Sequence, residues 1–249
     1  METRFADHFS GHAEAYARHR PDYPEALFAT LNGVVPDRHR AWDVGCGNGQ
    51  VARGLAEHFD DVIASDPSAA QLRERDRAPG VRYLQCPAAP SPLATGSCDL
   101  IAAGQALHWF PLESFYAEAR RVLRPEGVVA AWCYSLVRIA PEIDPLVERF
   151  YRDNLGPWWP EQRAHVDAGY ADLPFPFDEL PVPRLEIAAE WDLDRLVAYL
   201  GTWSAYRRSR EATGLDPLPA LAVQLGRAWG DPGRTRRLRW PLHLRLGRA

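Results

Sequence analysis

The chain predicts a doubly wound α/β fold, a mostly parallel sheet with helices on both faces and helical additions late in the sequence. Three observations carry this. Short apolar runs alternate with helical stretches across residues 40–133, and strand-then-helix repetition calls for parallel pairing with crossover helices. The first strand runs into a turn with glycines at alternate positions, Gly45, Gly47 and Gly49, in AWDVGCGNG. The second strand, VIASD, ends on Asp66, so a carboxylate and the glycine turn fall at the same end of the sheet.

Taken in order, a polar N-terminal helical segment occupies residues 1–38. Strands follow at Arg40 to Val44, Asp61 to Ser65, Val81 to Gln85, Asp99 to Ala103 and Gly127 to Cys133, each closed by glycine, proline or polar residues. Helices start at Gln50, running to Phe59, at Ser68 and at Leu112. From about Ser135 the composition shifts to tryptophan and proline, and LPFPFDELPVP is too rich in proline for regular structure. A strand at Arg184 to Glu190, a helix from Leu193 to Tyr206 and another over Leu218 to Trp229 come next. In the tail, Leu238, Trp240, Leu242, Leu244 and Leu246 alternate with Arg or His, which reads as an edge strand with one solvated face. Residues 1–249 form one domain on this reading. Residues 135–180 and 192–235 are additions that make a lid over the strand carboxyl ends.

Composition narrows the function classes. A hydrophobic content of 46% is ample for a core, and no apolar run approaches the ~20 residues of a membrane span. METRFADHFSGH has no apolar signal core, so a cytoplasmic protein without a membrane role is expected. The net charge of -4 gives no general attraction to nucleic acid. Cys46, Cys86, Cys98 and Cys133 form no C-x-x-C pair, and the histidines lack ligand spacing, so no metal site is expected.

Glycine at a strand-to-helix turn lets the backbone bend tightly and a ligand approach where a Cβ would collide. A dinucleotide fingerprint counted from Gly45 would need a third glycine where Gln50 stands. The pattern is instead D-x-G-x-G-x-G, with Asp43 inside the strand. Asp66, nineteen residues after Gly47, can accept both hydroxyls of a ribose. Asp66-Pro67-Ser68 also reads as a helix cap followed by proline in the first turn, and one residue can do both jobs.

The glycine turn resembles motif I of the Rossmann-like S-adenosylmethionine-dependent methyltransferases. SPLATGSCDLIAAGQALHWF is similar to that family's fourth-strand region, and RRVLRPEGVVAAW to the helix, turn and fifth strand after it. HWF at His108, the N-terminal YARHRPDYP and the later TWSAY resemble the small-molecule branch that includes trans-aconitate methyltransferase. The resemblance implies a seven-stranded sheet, S-adenosylmethionine as cofactor, and methylation of an O or N of a small molecule, with a carboxylic acid among the acceptors. By position it implies that Asp43, Gly45, Gly47 and Gly49 line the methionine and ribose side, Asp66 binds the ribose, and Pro67 lies beside the adenine. Pro87 stands where many members carry an acidic residue, which leaves adenine to the Ala88 amide and packing. Gln105 would face the amino-acid end of the cofactor and Arg20 its carboxylate.

His108 is the catalytic candidate: a base for a hydroxyl or amine, a substrate contact, or a structural histidine. Transfer from a sulfonium needs little more than alignment, and a carboxylate acceptor needs no base. Trp109, Trp203 and Tyr206 would contact the acceptor, although aromatic residues at helical spacing are as readily core. A monomer or weak dimer is expected. The rival readings are a nicotinamide-dependent oxidoreductase, which would also use Asp66 on a ribose, and a non-catalytic cofactor-binding protein of the same fold.

Overall fold

A computed structural model describes residues 20–75 and 77–249 of the chain. The expected N-terminal helical segment therefore lies largely outside the described residues, which begin just ahead of helix α1 (Glu25–Val34). The alternation then runs β1 (Arg40–Val44), α2 (Gln50–Leu55), β2 (Asp61–Asp66), α3 (Ala69–Arg73), β3 (Val81–Gln85), β4 (Cys98–Gly104), α4 (Leu112–Val122) and β5 (Leu123–Tyr134). The five strands pair in parallel in the order β3-β2-β1-β4-β5. Their inner members are apolar on both faces, as a sheet covered on both sides requires: β4, CDLIAAG, is buried from Cys98 to Ala103.

Short helices α5 (Asp144–Arg149) and α6 (Arg163–Asp167) follow, with strand β6 (Asp178–Glu179) inside the proline-rich stretch. Then come β7 (Leu185–Trp191), α7 (Leu193–Gly201), α8 (Ser204–Thr213), α9 (Leu218–Trp229) and β8 (Arg236–Arg248). Strand β8 runs antiparallel to β5, and both β7 and the two-residue β6 pair with its other side, at opposite ends. Seven full strands thus make the sheet, with β6 as a two-residue supplement.

Two expectations are corrected. The final strand is not an edge strand, because β5 and β7 flank it. Alternation reports which face a residue occupies and says nothing about how many neighbours the strand has. Pro241, which lacks an N–H, is tolerated where the β5 pairing stops at Leu242. The helix expected from Leu193 to Tyr206 is two helices. Thr202 Oγ1 bonds back to the Tyr199 carbonyl at 2.7 Å, and extended Trp203 turns inward, 4% exposed. A glycine and a β-branched residue in succession weaken the helix where that burial pulls it apart.

The core lies in two layers. On one face α1 and α2 pack with Ile143, Phe150, Trp191, Leu196, Leu225 and their neighbours from the later elements. On the other, α4 presents Phe115, Tyr116, Ala119 and Val122 to the sheet, together with Val166, Tyr170, Leu173 and Phe175. Arg245 of β8 fixes this second segment by donating to the Tyr170 and Leu173 carbonyls at 3.0 and 2.7 Å. At the amino ends of the strands, buried Asp99 accepts from the Arg40 amide and the Arg124 guanidinium at 2.8 and 2.7 Å, tying β1, β4 and β5 together. No helix among the described residues is long and apolar enough to cross a membrane.

Candidate active site

The carboxyl ends of β1, β2, β4 and β5 bring together Asp43, the glycine turn, Asp66, Gln105 and Tyr134. Gly45, Gly47 and Gly49 all have positive φ, at 70°, 55° and 89°. At Gly47 a Cβ would meet only Gln71 Oε1, at 3.7 Å, so the space above it is open. The turn is fixed from β2: Ser65 O accepts the Gly45 amide at 2.8 Å, and Asp66 Oδ2 accepts the Gly47 amide at 3.0 Å. Asp66 Oδ1 accepts the Ser68 amide at 2.8 Å, while Ser68 Oγ, not Asp66, caps α3 by accepting from Gln71. Asp66 therefore orients the glycine turn, and the capping role belongs to its neighbour.

Asp43 is 1% exposed, and neither carboxyl oxygen makes a hydrogen bond among the described residues. Burial raises its pKa to about 8, with the Ala52 amide pulling the other way and Asp66 adding repulsion. A buried carboxyl this short of partners fits a ligand that brings positive charge and hydrogen-bond donors. Together with the open space over Gly47, it makes the turn a fit for S-adenosylmethionine.

Gln105 is a non-glycine residue at positive φ, 53°. Its amide donates to Trp132 O at 2.8 Å and its Oε1 accepts the Tyr134 amide at 2.9 Å, so it bridges the ends of β4 and β5. Arg20 reaches the same place: its Nη1 donates to the Tyr134 hydroxyl at 2.5 Å and its guanidinium lies over the Tyr199 ring. Tyr134, which sequence reasoning passed over, thus joins two of the expected cofactor residues. Pro67 and Ala88 follow β2 and β3, Pro67 half-buried and Ala88 buried.

His108 lies in a short 3-10 turn, Leu107–Trp109, with Nδ1 2.7 Å from the Tyr170 hydroxyl and its ring 4.8 Å from that of Trp109. Burial first, then the positive fields of Arg163 and His165, push its pKa down to about 3. An effective general base has a pKa near the working pH. This environment keeps His108 neutral but makes it a poor proton acceptor. Tyr170 holds φ 63°, directly after left-handed Gly169, and these two residues turn the chain after α6 so that the tyrosine points inward.

Of the expected acceptor residues, Trp203 joins an aromatic wall with Tyr151 and Trp159, ring centroids 5.7 and 5.8 Å away. Tyr206 is directed elsewhere, its hydroxyl bonded to Asp216 at 2.9 Å. Trp109 stays beside His108. Arg163, absent from the sequence reading, packs over Trp159 and Tyr151 and is close enough to depress His108. Its stretch, PEQRAHVDAG, has no pattern that sets it apart from a surface helix. No group of His, Cys, Asp and Glu among the described residues could hold a metal ion.

Comparison with known proteins gives the family. A family model described as a methyltransferase domain matches residues 42–131, from β1 into β5. A solved structure described as a type II methyltransferase from Anaeromyxobacter dehalogenans is 49% identical, covers 92% of this chain and 97% of its own, and superposes with a TM-score of 0.87. A protein of Dictyostelium discoideum that carries a methyltransferase name is 31% identical over 91% of this chain and 88% of its own length. A methyltransferase structure from Anabaena variabilis, at 14% identity and a TM-score of 0.54, shares the fold. These matches set aside the oxidoreductase reading, as the displaced third glycine does. The chain belongs to the Rossmann-like, class I S-adenosylmethionine-dependent methyltransferases.

Proposed function

We propose that this enzyme methylates an oxygen or nitrogen of a small molecule held between the glycine turn and the aromatic wall. The observation that carries the reading is the juxtaposition of the left-handed glycine turn, open above Gly47, with unpartnered Asp43 and with Asp66. When bound, S-adenosylmethionine supplies an electrophilic methyl group. The chain's own part would be to hold an acceptor lone pair in line with that methyl group.

In this reading Asp66 takes the ribose hydroxyls and keeps the Gly47 amide in register. Gly47 allows close approach of the ribose and methionine, Gly45 and Gly49 make room for Ala106, Phe110 and Tyr83 packed against the turn, and Asp43 precedes them at the end of β1. Pro67 and Ala88 flank the adenine, and Gln105 and Arg20 face the amino-acid end. His108 contacts and orients the acceptor, since its low pKa suits it poorly to removing a proton. Residues 135–180 and 192–235 act as the lid that excludes water while the acceptor aligns. The small-molecule branch is supported by HWF at His108 and by TWSAY, whose Trp203 lies in the aromatic wall. The reading takes the enzyme as monomeric or weakly dimeric and cytoplasmic, and a net charge of -4 accords with the lack of a nucleic-acid partner.

Calorimetric titration with S-adenosylhomocysteine, with NAD as control, tests the reading. Micromolar binding of the former alone is the expected result. Well-folded protein that binds neither would sink the proposal.

A further inference from the structure

We infer that two copies of this chain associate through α9, the two helices packing antiparallel about a two-fold axis to form a weak dimer. The surface is built by α9 and α5 and contains none of the residues placed against cofactor or acceptor, so its pairing stands independently of the methyl-transfer reading.

Among the described residues, the large hydrophobic side chains left exposed are Val182, Leu215 and Val223, at 41%, 71% and 58%. Leu215 lies just ahead of α9 and Val223 at its middle. The helix sends Leu221, Leu225 and Trp229 into the core. Outward it turns Ala220, Val223, Gln224 and Arg227, a stripe at helical spacing that carries a single charge. Its neighbour α8 instead turns Arg210, Glu211 and Thr213 to water. Beside the stripe, a groove of about 260 Å³ opens between α9 and α5 over Leu146, Phe150 and Leu221. Ala220 and Gln224 belong to both stripe and groove, so a helix laid along the stripe covers the groove's mouth. Exposed apolar surface of this kind, rimmed by polar groups, marks an association site.

A second copy fits because the stripe is complementary to itself. A two-fold interface needs every contact to be reciprocal. An antiparallel pairing centred between Leu221 and Ala222 sets Ala220 opposite Val223 and Asp216 opposite Arg227, each twice. Small against large lets the helices approach and interdigitate, and acid against base closes both ends of the stripe. The charges are free to do this. Arg227 is exposed and carries no ion pair among the described residues. Asp216 Oδ1 accepts from the Tyr206 hydroxyl and the Leu218 amide, but Oδ2 is approached only by Arg210 Nε, at 3.8 Å. Antiparallel helices also place the positive end of one dipole beside the negative end of the other. The contact is modest in size: α9 has 12 residues, a length of about 18 Å. That is short of what buries the ~1,600 Å² of a typical stable complex, so the association is weak.

Sedimentation velocity of the full chain across roughly 1 to 300 µM tests the pairing. The wild type should pass from monomer to dimer within that range. Val223→Glu puts a carboxylate into each apolar contact and should raise the dimer Kd at least about tenfold. Arg227→Glu sets like charges opposite each other and should raise it about threefold or more. Val182→Glu, the same charge placed on an exposed valine outside α9, should leave the Kd unchanged. A wild type that stays monomeric throughout, a dimer undiminished in Val223→Glu or in Arg227→Glu, or an equal loss in Val182→Glu would overturn the inference. The wild-type profile needs no variant to fold, and Arg227→Glu, at an exposed position without an ion pair, keeps the test decisive should Val223→Glu not fold.

Discussion

The two sides of the candidate pocket are built by different means. On the cofactor side, Gly45, Gly47 and Gly49 shape the surface with backbone, and Asp66 fixes it through main-chain amides only nineteen and two residues away. On the side proposed for the acceptor, Tyr151, Trp159, Arg163 and Trp203 meet as side chains on separate turns and helices, and His108 reaches Tyr170 across 62 residues. A surface made of backbone tolerates little substitution and suits a ligand shared by a whole family. One made of side chains can be rebuilt piecemeal, which suits the partner that varies from enzyme to enzyme.

The largest expected effect comes from breaking the backbone side. Gly47→Val forces a β-branched residue to φ 55° and fills the open space above the turn. Binding of S-adenosylhomocysteine should fall below detection by calorimetry while the far-ultraviolet circular dichroism stays native. Retained binding would show that the cofactor lies elsewhere.

Asp66→Ala should be less severe. Losing charged hydrogen bonds predicts cofactor binding weaker by roughly ten- to a thousandfold. Thermal stability should also drop, because the Gly47 and Ser68 amides lose their acceptor. A lower Tm with an unaltered Kd would confine Asp66 to support of the turn.

The smallest effect belongs to the side-chain side. His108→Gln should lower kcat by less than about tenfold, since removal of a general base costs ~10²-fold or more. Neither the wild type nor the variant should show an acid limb near pH 6.5 that belongs to this residue. Stability carries the complementary signature. The His108 pKa falls from 6.5 unfolded to about 3 folded, so the unfolded chain binds the extra proton and the wild type loses stability as pH drops from about 6.5 toward 3. In His108→Gln that component of the Tm-versus-pH slope should vanish. A hundredfold loss of kcat with a shifted acid limb would restore the base.

Much of the sheet was legible because parallel central strands must be apolar on both faces, and such runs stand out between glycine and proline. The strands expected at Arg40 to Val44 and Val81 to Gln85 have those bounds. The glycine turn and Asp66 were legible for a related reason: left-handed backbone and an acid at a strand end are marked by residue type alone. Where several partners compete for one segment, the pattern fell short. The tail's alternation gave the faces of β8 but not its interior place, and a continuous helical pattern from Leu193 concealed the break at Trp203.

From the sequence alone follow the fold class and the placing of the glycine turn and Asp66 at one end of the sheet, because these depend on local backbone demands and short spacings, while the cofactor follows from the resemblance of those motifs to a known family. Only the tertiary structure decided that Tyr134 links Gln105 to Arg20, that His108 is held neutral, that Tyr206 turns away, and that Arg163 packs over Trp159 and Tyr151. Those properties arise from desolvation and from contacts between residues far apart in the chain. Neither is encoded in any short run of residues.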